Sequence, residues 1–319
     1  MAHSSQRIRV GISSCLLGEE VRFDGGHKRD RYITDTLGGV VEWTAVCPEL
    51  EMGLGVPRPS LRLVGDPASP RLVFRKSGED QTSLMEKWTA PRLNALASAD
   101  LSGYILKSKS PSCGMERLPV YGEDGSVRKT GVGLFARRLL EKMPLLPVEE
   151  EGRLNDLEIR ENFIERVFAY RRWQDLVEAG FTRARLVAFH TVHKYLLMAH
   201  SPSGLSELGR VVAHAADLTA AQLRDRYVAL FMQALAVKAT RKKHTNVMHH
   251  LLGYLKRDLD AQDKTELLGL IEDYHAGRAP LIAPITLLRH HIGRREIPYL
   301  REQIYLNPDP REINLRNHV

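Results

Sequence analysis

The sequence contains three cysteines, Cys15, Cys47 and Cys113, whose thiols can take part in several kinds of chemistry. Three cysteines are an odd number, which does not suit a framework of disulfides. Reduced thiols can instead be buried, bind a metal or act in catalysis. Zinc sites usually show paired CxxC spacing, which is absent here, so the spacing alone leaves three unrelated thiols as an open alternative.

Each cysteine follows a short apolar run that predicts a β-strand. The runs are residues 7–13, 40–46 and 101–106, and the cysteines follow in VGISSCLLG, WTAVCPE and YILKSKSPSCG. In an open α/β sheet, ligands bind beyond the carboxyl ends of the parallel strands. Neighbouring strands would therefore bring three thiols from distant parts of the sequence to one edge. Three thiolates can hold three irons of a 4Fe–4S cluster and leave the fourth iron open to a substrate.

The elements that must position these thiols indicate two domains. Residues 1–145 alternate short strands with predicted helices at 84–99 and 134–142, which favours an α/β fold with a mainly parallel sheet. Prolines and an acidic run break the periodicity, so residues 146–154 are interpreted as a linker. Residues 155–319 predict an all-α domain, with helices at 155–179, 183–199, 219–260 and 263–274. Thr219 has the chemistry of an N-cap, and the third helix is expected to break near 240–246.

Composition and charge limit the classes of function. The chain has 319 residues, 27% of them charged, and a net charge of +7. Residues 151–319 carry 25 Lys and Arg against 20 Asp and Glu, which permits a nucleic-acid partner without requiring one. There is no apolar run long enough for a membrane span, and the polar N-terminal segment lacks the apolar core of a signal peptide. We therefore expect a cytoplasmic protein.

Residues 8–140 resemble the thiouracil desulfidase (TudS) family. The resemblance rests on three motifs in the family's order, ISSCLLGEEVRFDG (12–25), CPELEMGLGVPRPS (47–60) and LKSKSPSCG (106–114). It implies a small Rossmann-like domain and a 4Fe–4S cluster bound by Cys15, Cys47 and Cys113. The unique iron of that cluster would bind the sulfur of a thiocarbonyl base. Water would then replace the sulfur without net oxidation of the substrate.

The same resemblance implies roles for residues near the cysteines. Glu49 matches the catalytic glutamate of the family and would handle the proton of the attacking water. Ser110 matches the catalytic serine, with Ser112 as the competing candidate. Arg22 and Asp24 belong to a stretch that the family places near the site. Without the resemblance, Glu49 would be interpreted as a solvated loop carboxylate and Ser110 as a turn residue before a proline. Lys107 and Lys109 flank the third cysteine loop and could contact an RNA phosphate or face solvent.

Residues 155–317 resemble the YbgA-type helical domain through LVAFHTVHKYLLMAH (186–200), ATRKKHTNVMHHLLGYLKR (239–257) and PLIAPITLLRHH (280–291). A fusion of the two domains is similar to the tRNA 4-thiouridine desulfidases (RudS), which implies tRNA as the substrate and RNA binding by the helical domain. The candidate RNA contacts are Arg241, Lys242, Lys243, His244 and Lys194. His190 and His193 form an HxxH pair, which is more often part of a core or surface than a metal site.

Three functions stay open at this point. The first is a 4Fe–4S desulfidase that acts on 4-thiouridine in tRNA. The second is the same chemistry on free thiouracil, with the helical domain used for oligomerisation. The third is a non-enzymatic RNA-binding protein whose cluster is structural. A structural cluster would need a fourth protein ligand, and His27 is the only histidine of the first domain beyond the terminus.

Overall fold

The computed structural model describes residues 8–256, 258–295 and 297–312. These residues divide into two compact units, one ending at Arg171 and the other beginning at Arg172. Residues 1–7, part of the segment on which the cytoplasmic prediction rests, lie outside the described residues, as do residues 313–319 of the predicted helical domain.

The elements follow one another in a mixed first half and a helical second half, as predicted. In chain order the strands are β1 (Ile8–Ser13), β2 (Val41–Val46), β3 (Leu61–Val64), β4 (Arg71–Phe74), β5 (Gly103–Leu106), β6 (Leu118–Tyr121), β7 (Val127–Gly131) and β8 (Val148–Glu150). The helices are α1 (Pro48–Glu51), α2 (Thr82–Ala97), α3 (Leu134–Lys142), α4 (Leu157–Glu178), α5 (Arg183–His200), α6 (Pro202–Ala213), α7 (Ala220–Ala236), α8 (Arg241–Leu255), α9 (Ala261–His275), α10 (Ile282–Arg294) and α11 (Pro298–Arg301).

The first sheet of the N-terminal unit is entirely parallel, in the order β2-β1-β5-β8. β1 lies inside it and buries every residue except Arg9, which explains its nearly continuous apolar sequence. Gly11 of β1 faces the ring of Tyr104 on β5, and a Cβ atom at position 11 would lie 2.2 Å from that ring. The sheet confirms the predicted α/β class with a mainly parallel sheet.

Helices cover the first sheet on both faces. α2 and α3 pack on one face, where Leu93 and Phe135 join a core that includes Tyr104. The first turns of α4 cover the other face, where Phe163 and Val167 join a second core that includes residues of β1. Both faces are therefore apolar, and this rigid centre holds the loops at the carboxyl ends of the strands.

A second sheet, in the order β4-β3-β6-β7, was not predicted from the sequence. β3 pairs with β6 in parallel, and β4 and β7 flank them as antiparallel neighbours. The outer strand β7 exposes four of its five residues, so its sequence lacks the apolar alternation that would have predicted it.

The structure differs from the predicted linker at 146–154, because β8 lies within that segment and pairs with β5. Val148 is buried in the core, and the neighbouring carboxylates have partners in the fold. Glu150 accepts a hydrogen bond from the Met115 N–H (2.6 Å), and Glu151 accepts one from the Ser108 N–H (2.6 Å). The acidic run is a strand because its charges bind backbone donors that only the folded chain supplies.

The second unit consists of helices. Thr219 caps α7 in a capping box with Gln222, which confirms the predicted N-cap. The break expected near 240–246 lies between Ala236 and Arg241, with Thr240 as the N-cap of α8. The core includes Trp173 stacked on Tyr227, with 5.5 Å between the ring centroids. Among the described helices, none has the length and apolar content needed to cross a membrane.

Candidate active site

The three cysteines come from the ends of three adjacent strands. β2, β1 and β5 are neighbours in the first sheet. Cys47 follows β2 directly and precedes α1, Cys15 lies in the short turn of helix Ser14–Leu17 after β1, and Cys113 lies in the loop after β5. All three line one cavity of about 460 Å³. The parallel topology thus brings together the thiols that the sequence keeps far apart.

Burial keeps these thiols protonated in the protein without a bound group. Burial, together with the nearby Cys47, raises the pKa of Cys15 to about 11. Burial also raises the pKa of Cys47, and it raises that of Cys113 well above its usual range. Cys15 and Cys47 both act electrostatically on Cys113, as expected for groups that share a cavity. A bound cation would reverse this balance, because metals bind the thiolate form.

The loop that carries Cys113 is held at several points. The Ser110 hydroxyl oxygen accepts hydrogen bonds from the backbone N–H groups of Ser112 (3.3 Å) and Cys113 (3.1 Å). Behind the loop, Gly133 comes so close that a Cβ atom there would lie 2.5 Å from the Ser112 carbonyl oxygen. Glu151 accepts hydrogen bonds from Ser108 on the other side of the loop. These contacts fix the position of the third thiol.

Glu49 lies in the wall of the cavity and is held by two partners. The Ser112 hydroxyl donates to its Oε1 (2.8 Å), and Nε and Nη2 of Arg58 each lie 2.9 Å from its Oε2. Arg58 also donates to the carbonyl oxygens of Gly55 (2.8 Å) and Val21 (2.9 Å), with a side chain that is 3% exposed. The carboxylate is therefore fixed beside the thiols as a partner of a buried cation and is not a solvated loop residue.

The two candidate serines have different positions. Ser110 lines the cavity, whereas Ser112 is fully buried behind it and reaches the site through Glu49. Arg22 lines the cavity and lies 3.6 Å from Asp24, whose own side chain accepts from the Gly26 N–H. Asp24 thus shapes the turn next to the cavity.

Sequence reasoning missed several residues of the cavity. Arg58 lies within a motif that carried the family resemblance, but its ion pair with Glu49 was visible only in the folded structure. Phe23 lines the cavity and is 39% exposed, which is unusual for a large aromatic side chain. Arg62 and Tyr121 come from the unpredicted second sheet. An aromatic residue between Arg22 and Asp24 was the one signal in the sequence that could have indicated a stacking surface.

The thiols are not arranged as the ligands of one metal ion. Within residues 8–256, 258–295 and 297–312, no three His, Cys, Asp or Glu side chains could hold a single ion. A 4Fe–4S cluster makes a different demand, because each cysteine sulfur binds its own iron. Three thiols around one cavity fit that demand, and Arg22 and Lys107, which act electrostatically on Cys15, supply positive charge beside them.

Comparison with known proteins assigns the two parts of the chain to two families. The sequence model of the 2-thiouracil desulfurase family matches residues 10–151, which include the three cysteines and Glu49. The chain belongs to the 2-thiouracil desulfurase family. A second model, for a protein of unknown function designated DUF1722, matches residues 194–310 of the helical part. The fusion predicted from the sequence is confirmed.

Three relatives of this desulfurase-family protein each align with about half of its chain. The uncharacterized protein YbgA of Escherichia coli (strain K12) is 33% identical over 156 residues, 48% of this chain and 90% of YbgA. The uncharacterized protein YbbK of Bacillus subtilis (strain 168) is 34% identical over 155 residues, 46% of this chain and 97% of YbbK. A solved structure of a [4Fe–4S]-dependent thiouracil desulfidase, TudS, is 30% identical and covers 47% of this chain and 95% of its own, with a TM-score of 0.39.

The structure separates the candidate RNA contacts of the helical part. Arg241 and Lys242 are exposed at the start of α8. Lys243 instead donates from Nζ to the carbonyl oxygens of His200 (2.6 Å) and Lys238 (3.1 Å). His244 is buried and its Nδ1 lies 2.9 Å from the Tyr305 hydroxyl, which removes it from the predicted contact surface. It lies on the face of α8 that packs into the core.

Lys194 is partly buried, with its Nζ 5.7 Å and 5.9 Å from the ring centroids of Tyr195 and Tyr299. The HxxH pair is part of the core packing: His193 is buried with its ring 4.0 Å from that of Phe189, and Nδ1 of His190 lies 3.0 Å from the Tyr227 hydroxyl.

Proposed function

We propose that this chain is an iron–sulfur desulfidase that converts 4-thiouridine in tRNA to uridine and releases the sulfur as sulfide. The observation that carries the proposal is the convergence of Cys15, Cys47 and Cys113 on one cavity with Glu49 in its wall. Membership of the desulfurase family supports C–S cleavage as the reaction. The reaction balances without a redox partner, since a thiocarbonyl and water give a carbonyl and hydrogen sulfide.

The thiols would hold a 4Fe–4S cluster through three irons. When bound, the cluster supplies an iron without a protein ligand, which can attract the substrate sulfur and make the thiocarbonyl carbon more electrophilic. The cavity volume of about 460 Å³ lies in the range of small-molecule sites.

Glu49 is proposed to take a proton from the attacking water. A carboxylate has about four lone-pair positions, so acceptor capacity remains beside the hydrogen bonds from Ser112 and Arg58. Those two donors also fix the orientation of the carboxylate, which a general base needs if it is to meet the water at the correct angle. Arg58 and Ser112 are thus positioning residues.

Ser110 is proposed to protonate or orient the base. Its oxygen accepts from two backbone N–H groups, which leaves the hydroxyl hydrogen for donation into the cavity that Ser110 lines. A donor placed at the ring nitrogen stabilises the negative charge that develops there when water adds to the thiocarbonyl carbon.

The choice of tRNA over a free base rests on the fusion with the helical part. A base within tRNA must leave its stack, and the RNA must be held through phosphate contacts over a wide basic surface. Support comes from Arg241 and Lys242, which are exposed and would contribute positive charge to such a surface, in a half of the chain that carries a net charge of +5 from 25 basic and 20 acidic residues. Free thiouracil needs only the cavity, and it is the competing substrate in the test.

The test is a nucleoside analysis after anaerobic reconstitution of the full chain with iron and sulfide. The protein is incubated with thiolated tRNA or with free 4-thiouracil, and Glu49→Gln serves as the matched control because it keeps the size of the side chain. We expect 4-thiouridine to disappear from tRNA with equal release of sulfide, and Glu49→Gln to keep the cluster but lose turnover. Turnover of free 4-thiouracil alone would assign the chain to the smaller substrate. A stable cluster with no turnover of either would favour the structural role.

A further inference from the structure

The Lys107 ammonium lies in the wall of the cysteine cavity and is bound by three acceptors. Its Nζ donates to Oε1 of Glu151 (2.5 Å), to the carbonyl oxygen of Ser108 (3.0 Å) and to Oγ of Ser108 (3.1 Å). A lysine ammonium has three N–H donors and no acceptor, so the protein itself uses all of them. The sequence left Lys107 open as a phosphate contact or a solvated side chain, but its hydrogen bonds hold the charge inside the protein.

Glu151 is fixed as tightly as Lys107. Its Oε2 accepts from the Ser108 N–H (2.6 Å), and its Oε1 also accepts from the Ser108 hydroxyl (2.7 Å). The Lys107 backbone N–H donates to Oγ of Ser13 at the end of β1 (2.9 Å). The side chains of Lys107 and Glu151 are only 20% and 12% exposed, so water and salt screen their charges less than those of a surface pair. The pair therefore holds its two charges in one geometry.

The pair directs its positive end toward the thiols. Lys107 lines the cavity, whereas Glu151 lies outside the lining. Burial is the largest influence on the pKa of Cys15 and raises it, but within the pair Lys107 lowers that pKa by more than Glu151 raises it. The ion pair of Arg58 and Glu49 differs, because both partners line the cavity and their charges offset each other there. The Lys107–Glu151 pair therefore adds a net positive potential at Cys15.

We propose that Lys107 and Glu151 form a fixed charge pair of the desulfurisation site, whose positive end strengthens the attraction of the unique iron for the sulfur of the substrate. This inference rests on the proposed function. Three thiolates bring negative charge to a bound cluster and make its irons weaker Lewis acids, and a positive charge beside one thiolate opposes this effect. Because the pair is in place before the reaction, it needs no reorganisation when charge develops on the sulfur. Lys107 is thus an electrostatic residue of the reaction and not a phosphate contact.

The reduction potential of the cluster in the anaerobically reconstituted full chain tests the pair, because nearby charge shifts this potential. Lys107→Met removes the positive end and should make the potential more negative. Glu151→Gln removes the negative end, while both Ser108 oxygens still hold the ammonium, and should make the potential more positive. Lys107→Arg keeps the charge and should keep the potential close to that of the wild type. If Lys107→Met fails to bind iron, Lys107→Gln replaces it, because its amide can still donate to Glu151.

The direction of these shifts separates electrostatics from a purely structural role. Loss of either partner would loosen the same loop and admit water, so a structural role would shift the potential in the same direction in both variants. Glu149→Gln is the matched control, because it removes a buried carboxylate of the adjoining strand β8 that pairs with Arg153 and lies outside the cavity lining. Its potential should stay close to that of the wild type.

Turnover and tRNA affinity complete the test. Lys107→Met should lower kcat for thiolated tRNA by about tenfold or more and keep the iron content and the tRNA affinity of the wild type. If no thiolated substrate reacts even with the wild type, the proposed function fails, whereas opposite shifts of the two potentials would still support the charge pair. Shifts in the same direction, an equal shift in Glu149→Gln, or wild-type kcat in Lys107→Met would overturn the inference. A loss of tRNA affinity in Lys107→Met would also overturn it and assign Lys107 to phosphate binding.

Discussion

Replacement of Arg58 with leucine should strongly destabilise the first unit, because Arg58 neutralises a charge that folding buries. The guanidinium makes two contacts of 2.9 Å to Glu49 and binds the carbonyl oxygens of Gly55 and Val21. Leucine keeps much of the apolar volume but leaves the carboxylate and both carbonyl oxygens without this donor.

The magnitude follows from the burial of the pair. Removing one partner of a buried ion pair costs about 3–5 kcal/mol, since the other charge stays behind. The Glu49 side chain is 14% exposed, so water can reach it in part and the lower end of the range applies. We expect a loss of about 3 kcal/mol in the free energy of unfolding, which corresponds to opening that is about 100-fold more frequent.

Hydrogen exchange of the most protected amides of β1 and β5 measures this loss, because it reports opening of the first unit whether or not the second unfolds with it. The double variant Arg58→Leu/Glu49→Leu should recover a large part of the lost unfolding free energy, since it also removes the Glu49 carboxylate that would otherwise be buried without a partner. Arg71→Leu is the control, with a side chain that is 54% exposed and an expected change within about 0.5 kcal/mol. Exchange of Arg58→Leu within about threefold of the wild-type rate would refute the reasoning.

Three further predictions concern catalysis, pH and RNA binding. Ser112→Ala removes the hydroxyl that donates to Glu49 Oε1, so it should lower turnover by about 10- to 100-fold while the iron content stays unchanged. Wild-type turnover in this variant would count against the proposal that Ser112 positions the Glu49 carboxylate. Burial holds the pKa of His193 well below its usual value of 6.5, so the unfolded chain binds the proton more readily than the folded chain. The contribution of His193 to the stability of the helical unit should therefore be fully present above about pH 7. In urea unfolding, the free energy of unfolding should fall by up to about 1.4 kcal/mol per pH unit below about pH 6.5, and it should fall less steeply with pH in His193→Gln. An equal pH dependence in the two proteins would contradict the assignment. Lys242→Met should weaken tRNA binding and reduce the salt dependence of that binding. Lys243→Met should instead lower thermal stability, because the Lys243 ammonium binds backbone carbonyl oxygens. Equal tRNA affinities of the two variants would show that the start of α8 is not the contact surface.

Elements with strong local patterns could be predicted from the sequence. β1, β2 and β5 lie within or close to their predicted ranges, and α3 matches residues 134–142. Parallel sheets bury both faces of their strands, so their sequences carry a clear apolar signal. The convergence of the thiols followed from where each cysteine stands relative to its strand.

Elements that depend on distant partners could not be predicted. β8 contains Glu149 and Glu150, whose carboxylates accept from backbone N–H groups or pair with Arg153 only after folding. The exposed strand β7 has no apolar alternation. His244 stands in a basic run but occupies the buried face of α8, because helical periodicity separates it from Lys242. Tertiary contacts decided each of these cases.

The central claim is that Cys15, Cys47 and Cys113 together hold one cluster that the desulfurisation requires. The most direct measurement is the iron and acid-labile sulfide content of the anaerobically reconstituted full chain, compared with three single Cys→Ser variants under the same conditions. We predict about four irons and about four sulfides per wild-type chain, and loss of both the cluster and the turnover of thiolated tRNA in each variant. A variant that keeps full iron and sulfide content together with wild-type turnover would contradict the claim.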